Sequence, residues 1–254
     1  MKKVISLLIL RIAIISSLII ATTLGVTAQW NNPYWGTSWN NPTSSLLQTM
    51  TMNKVFADSM RKPFEQRGKA LDQRSIPKQN KLTPYQQKSV TFSPVANMIM
   101  PKQLAETIGA TPKDRKELQK AFTEFLQVFD QEAALDKEEN NVARAVTFFI
   151  VCNYIVATGS EFEEEQINFM ERDINIYLAE NEYFCAFDNH RKQELYESLV
   201  ILGTLAAAGY HDGEENGRKE QMERFRSLAR NGLETLLGVP VERLKLTKVG
   251  LVIK

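Results

Sequence analysis

Four polar side chains sit where this sequence is otherwise most apolar. Asn153 and Tyr154 lie inside the run Ala145–Ala157, and Tyr196 and Glu197 adjoin a second apolar run that ends near Tyr210. A carboxylate on a helix packed on all sides must be paired or protonated. Glu197 therefore has two readings. Bonded to a tyrosine, an asparagine or Arg144, it fixes helix register, as buried polar groups commonly do. Held protonated, it serves as a general acid. In glycoside hydrolysis that role requires a second carboxylate about 5–9.5 Å away across an open cleft. Glu194 is one turn from Glu197, but spacing along a helix does not establish a cleft.

Other chemistries are poorly supplied. The sequence has no His-Glu-x-x-His, Cys-x-x-Cys, Gly-x-Ser-x-Gly or Walker loop. Its two histidines, His190 and His211, fall near the two ends of one predicted helix. At 1.5 Å per residue they stand roughly 30 Å apart and cannot share a metal ion. We therefore expect neither a metal site nor a cofactor. Cys152 beside a histidine would be a nucleophile pair, but apolar neighbours raise a thiol pKa and leave it inert. For Cys152 and Cys185 two alternatives stand open. One is a disulfide, in keeping with an exported chain; the other is two free thiols, with Cys152 acting as a small buried hydrophobe. The acidic run Glu161, Glu163, Glu164, Glu165 opens a helix, where it complements the dipole on a solvated face.

The elements that position these residues are helices. Past residue 100 apolar side chains recur every three or four positions. Pro101 starts a short helix with Leu104, Ala105 and Ile108 on one side, and Gly109 is expected to end it as a C′ residue. Thr111, Pro112 and Asp114 read as N-cap, N1 and N3 of the next, whose stripe is Leu118, Phe122, Phe125, Leu126, Phe129 and Ala133. A third helix, about Asn141–Thr158, is apolar almost all round and so central in a bundle. Its apolar run is too short to span a bilayer, and Gly159 stops it. Ser160 with Glu163 reads as a capping box for a fourth helix, which buries Ile167, Met170, Ile174 and Leu178. Asp188 or Asn189 caps a fifth, running to about Tyr210, whose small residues Gly203–Gly209 let a neighbour approach; Asp212–Gly217 is a polar turn. A sixth, about Arg218–Leu237, stops at Gly238 and Pro240. Val90–Phe92 and Leu244–Ile253 are β-like, and we expect residues 90–92 to pair with 249–253. The fold class is all-α: a compact bundle of five or six helices with antiparallel neighbours and this minor pairing.

The N-terminus carries a different signal. Lys2 and Lys3 precede an apolar stretch from Val4 to Val26 that ends in Val26-Thr27-Ala28. This is the pattern of a signal peptide cleaved after Ala28; the alternative is an uncleaved anchor, since the stretch is long enough to span. Residues 29–90 follow as a flexible tether. It holds Trp-Asn-Asn-Pro twice, at Trp30 and Trp39, all three tryptophans, and a short amphipathic helix expected near Leu46–Met60. Between residues 43 and 90 nine basic side chains face three acidic ones, a net of +6, whereas residues 91–254 carry −8. A basic tether beside an acidic body folds back on it, touches anionic lipid or envelope polymer, or is a solvated linker. The whole-chain net charge of +1 argues against a nucleic-acid partner.

Several stretches together resemble an uncharacterised family of exported bacterial helical domains of unknown function. They are Pro101-Lys102-Gln103-Leu104-Ala105, Ala145–Ile150 with Asn153-Tyr154, Lys192–Glu197, Leu202-Gly203 to Gly209-Tyr210, and Ala229-Arg230-Asn231 to Leu236-Leu237-Gly238. The likeness covers roughly residues 92–254. It implies export and a helical body, brings no reaction with it, and marks Asn153, Tyr154, Tyr196 and Glu197 as family-like polar positions. The expected organisation is a signal peptide at 1–28, a tether at 29–90 and a helical domain at 91–254. The protein is expected in the periplasm or secreted, as a non-catalytic interaction or structural domain for a protein or envelope component. Membrane contact is confined to the signal peptide or the basic tether. The alternative function is a cell-envelope hydrolase using Glu197.

Overall fold

The computed structural model of the chain describes residues 54–72, 81–95 and 97–254. The expected signal peptide, the Trp-Asn-Asn-Pro repeats and the part of the predicted 46–60 helix before Lys54 lie outside the described residues. The described elements are, in order, α1 (Lys54–Asp72), α2 (Pro84–Ser89), α3 (Met100–Ile108), α4 (Pro112–Leu135), α5 (Val142–Thr158), α6 (Glu164–Glu180), α7 (Glu182–Cys185), α8 (Asn189–Glu215) and α9 (Lys219–Leu237). A 3-10 turn (Val241–Arg243) and the strands β1 (Leu244–Thr247) and β2 (Gly250–Ile253) complete the chain. The fold is all-α with one small antiparallel sheet. No helix among the described residues is long and apolar enough to cross a membrane.

Local chemistry explains most of the boundaries. Thr111 accepts the Asp114 N–H while the Asp114 carboxylate accepts the Thr111 N–H, a closed capping box with Pro112 at the first helical turn. Asn141 caps α5 by accepting from Ala143 and Arg144. Gly159 and Gly238 end α5 and α9 in the left-handed conformation, φ 73° and 65°, where a Cβ would be strained. α5 buries nearly every side chain it has and packs on α6, α8 and α9, which makes it the axis of the bundle. Close approach of α8 and α9 depends on Gly209, where a Cβ would fall 2.1 Å from the Phe225 ring.

Five expectations are corrected. The tether expected at 29–90 contains a docked helix: in α1, Met60, Phe64 and Arg67 recur at helical spacing and are all buried. Arg67 donates to the Leu251 carbonyl at 3.0 Å and pairs with Asp173 at 2.6 Å, so α1 is tied to β2 and α6. A count of charges hid this stripe, because one of its members is itself an arginine. The β pairing also has a different partner. β2 turns back on β1, with Leu244 opposite Ile253 and Thr247 opposite Gly250. Residues 90–92 instead join the start of α5: Val142 donates to Val90 and Phe92 donates to Asn140. A two-residue hairpin closes a far shorter loop than a pairing across most of the chain.

The other three corrections are local. Gly109 is extended (φ −74°), not left-handed, and is small because Arg115 Cγ would lie 2.6 Å from a Cβ there. α6 starts one turn later than Ser160 predicts; Glu163 is its cap, donating its N–H to Gln166 Oε1 at 2.8 Å. α8 continues through the expected polar turn to Glu215. Gln221 and Arg218 both donate to Asp212, at 2.7 and 3.1 Å, and satisfy it within the helix.

Candidate functional site

Glu197 is 4% exposed, and its carboxylate is committed to the fold. Oε2 accepts the N–H groups of Ile99 at 2.7 Å and Met100 at 2.8 Å, and Oε1 accepts from Gln193 Nε2 at 2.7 Å. Ile99 is the N-cap of α3 and has no capping side chain of its own, so Glu197 caps α3 from across the bundle, at the positive end of its dipole. Burial pushes the Glu197 carboxyl above its ordinary value; its three donors oppose that rise without cancelling it. One helix face continues the pattern: Asn189 accepts the Ser93 N–H and Gln193 accepts the Val95 N–H. Residues 189, 193 and 197 thus line up at four-residue spacing and tie the backbone of Ser93, Val95, Ile99 and Met100 to α8. Sequence reasoning placed Glu197 in a network with tyrosine, asparagine or Arg144; its partners are backbone groups and Gln193.

The other predicted residues go to different neighbours. Tyr196 donates to Asp130 Oδ1 at 2.6 Å beneath the Phe92 and Phe129 rings, whose centroids lie 5.3 and 5.7 Å away. Burial raises the Asp130 carboxyl, and the Tyr196 hydroxyl opposes that rise. Asn153 donates back to the Phe149 carbonyl at 2.7 Å, in the helix turn that faces Gly232 of α9. Tyr154 meets the edge of Phe162 with centroids 5.5 Å apart. The four are not gathered on one surface. Cys152 is buried, Cys185 is exposed and both are free thiols. Burial pushes the Cys152 thiol up. His190 and His211 stand at opposite ends of α8, beside Glu194 and Glu215 respectively.

A cleft of about 350 Å³ opens elsewhere, between α5, α6, the 136–141 loop and the side of α4. Along α6 its wall is Glu164, Asn168, Glu171 and Asn175, spaced four, three and four residues apart and so on one helix face, with Arg172 beside them. The opposite wall carries Arg144 and Thr147 of α5 with Asp136 and Glu138 of the loop; Phe129, Phe148, Val151 and Ile167 supply the apolar lining. Arg144 is bonded to Asp136 at 2.6 Å, and Glu138 accepts the Asn141 amide at 2.7 Å. Burial pushes the Glu171 carboxyl up to about 7; Arg144 opposes that shift, and Glu138 and Asp136 add to it. Asn175 is only 2% exposed, and its Oδ1 has no hydrogen-bond partner among the described residues; Arg172 Nε has none either.

A family model for a family of unknown function (DUF6683) matches residues 10–254. The chain belongs to this family. The match reaches further toward the N-terminus than the likeness carried by residues 92–254, and it takes in α1 as well as every residue of the cleft. No curated protein and no solved structure matches the chain.

Sequence reasoning missed the cleft. The acidic run places Glu164 on a solvated face, and Glu171 and Asn175 belong to no motif. One signal was present: the positions 164, 168, 171 and 175 form a polar stripe parallel to the apolar stripe 167, 170, 174 and 178 on the same helix. The partner wall lies on another helix and a loop, and no spacing within α6 points to it.

Proposed function

We propose that the protein is an exported helical interaction domain that binds a partner of the envelope, protein or polymer, and does not turn it over. The observation that supports this best is the state of Glu197. The carboxylate most suited by sequence to acid catalysis accepts three hydrogen bonds from the fold and caps α3. A general acid needs its proton free for a substrate oxygen, and a carboxylate that accepts from two backbone N–H groups is held in the opposite role. Export rests on Lys2 and Lys3, the apolar stretch and Val26-Thr27-Ala28.

The test uses the full chain with a C-terminal tag, expressed in a bacterial host. The reading expects protein outside the cytoplasm whose N-terminus is Gln29. It also expects no reducing ends released from cell-wall glycan, and in-cell cross-links to one envelope component that Glu197→Gln leaves in place. Retention in the inner membrane with residues 1–28 attached would overturn the export half. Glycan turnover that Glu197→Gln abolishes would overturn the non-catalytic half.

A further inference from the structure

The polar groups of the α5–α6 cleft are chemically unfinished in a way that specifies what would complete them. An amide oxygen taken out of water without a donor costs stability, and native folds rarely keep one without reason. Asn175 Oδ1 is such an oxygen, 2% exposed at the residue and unpartnered among the described residues. It lines the cleft one turn beyond Glu171. We propose that this cleft is a binding site for a small organic cation, a primary ammonium on an apolar body, with Glu171 and Asn175 receiving the ammonium. The proposal deepens the reading of the domain as a binding module and rests on it.

Charge is the first argument. The lining holds four carboxylates, Asp136, Glu138, Glu164 and Glu171, against two guanidiniums, Arg144 and Arg172. Arg144 is already bonded to Asp136, and Glu138 to the Asn141 amide. Outside those pairs stand Glu164 and Glu171 against the single guanidinium of Arg172, a surplus of one carboxylate. No group of three or more carboxylate, thiol or imidazole side chains among the described residues is placed to hold a metal ion, so a cation here would be bound by hydrogen bonds and shape. An ammonium brings three donors and no acceptor, which matches a carboxylate beside an orphaned amide oxygen.

Shape and titration agree with this. Phe129, Phe148, Val151 and Ile167 offer the apolar surface that a ligand body needs, and about 350 Å³ lies at the small-ligand end of the range for binding pockets. Arg172 Nε, also unpartnered, is available to an acceptor atom on the same ligand. The charged groups facing Glu171 are Arg144 from α5, Asp136 and Glu138 from the loop, and Glu164 and Arg172 from its own helix. With its carboxyl pushed up to about 7, Glu171 is half protonated near neutrality. An ammonium placed beside it would favour the ionised form, so binding releases a proton and tightens as pH rises through 7.

The experiment is calorimetric titration of the processed full chain with 2-phenylethylammonium chloride at pH 8.0 and 5.5, with 2-phenylethanol as the neutral control. The expected result is saturable one-to-one binding of the ammonium at pH 8.0, weaker by about thirtyfold at pH 5.5 as Glu171 takes up its proton, and no saturation by the alcohol. Glu171→Gln should weaken binding at pH 8.0 by at least about tenfold and flatten the pH profile. Asn175→Leu should weaken binding without flattening it. Circular dichroism of both variants should match the wild type. No saturation at millimolar probe, equal binding of the alcohol, or wild-type binding by Glu171→Gln would overturn the proposal. Export and glycan turnover are read in separate assays, so failure of the cleft site is distinguishable from failure of the broader reading.

Discussion

The N-terminal half of α8 and the polar face of α6 both place acidic and amide side chains at helical spacing against another part of the fold, and they end in opposite states. On α8, Asn189, Gln193 and Glu197 meet the backbone N–H groups of Ser93, Val95, Ile99 and Met100, and each acceptor finds a donor. On α6, Glu171 and Asn175 face a cleft in which Arg144 is bonded to Asp136 and Glu138 to the Asn141 amide, and Asn175 Oδ1 finds no donor among the described residues. The donors explain the difference. The first turn of a helix has N–H groups without intrahelical partners, as at Ile99 and Met100, and such groups suit a carboxylate. The helical wall of α5 has its backbone donors bonded internally and offers only side chains. Buried polarity is thus structural in the first region and open to a ligand in the second.

Three measurements break or sharpen this contrast, in descending size. Glu197→Ala strands the Ile99 and Met100 N–H groups and the Gln193 amide, and should cost about 3 kcal/mol in urea unfolding. Glu197→Gln retains an acceptor and should cost about 1 kcal/mol. A loss below about 1 kcal/mol for the alanine variant would remove the cap from the account.

Glu171 should show the opposite sign. Its folded carboxyl lies near 7 against 4.5 as the ordinary value, so the folded state holds the proton more tightly. Its contribution is fully present below pH 4.5 and is lost as pH rises through 7. Glu171→Gln should therefore leave stability unchanged at pH 4 and raise it at pH 8 by about 2 kcal/mol, less than full linkage because cleft water screens the charge. Melting curves at the two pH values decide it, and a variant less stable at pH 8 would place Glu171 among the structural carboxylates. The smallest effect is expected from Asn175→Leu, which replaces an unpaired buried amide by an apolar group of similar size. Stability should rise by about 1 kcal/mol. A fall of that size would mean that Asn175 has a structural partner.

How much could be read beforehand follows the same division between local and distant causes. The stripe Leu118–Phe122–Phe125–Phe129, the Thr111–Asp114 box, the stop at Gly159 and the all-round apolarity of α5 depend on interactions within a turn or two, where residue spacing is the physics. The central place of α5 and the all-α class follow from them. The partners of Glu197 were not legible: residues 99 and 100 lie nearly a hundred positions upstream, and which helix end α8 would meet is set by how the whole bundle packs. Docking of α1 on β2 and α6 through Arg67, and the return of β2 onto β1, were hidden for the same reason. The cleft was only half legible. The sequence by itself determined the polar stripe on α6 through its four-three-four spacing; tertiary packing alone decided that Arg144, Asp136 and Glu138 would face it and that Asn175 would be left without a donor, because burial and hydrogen-bond supply are properties of neighbours brought together in space.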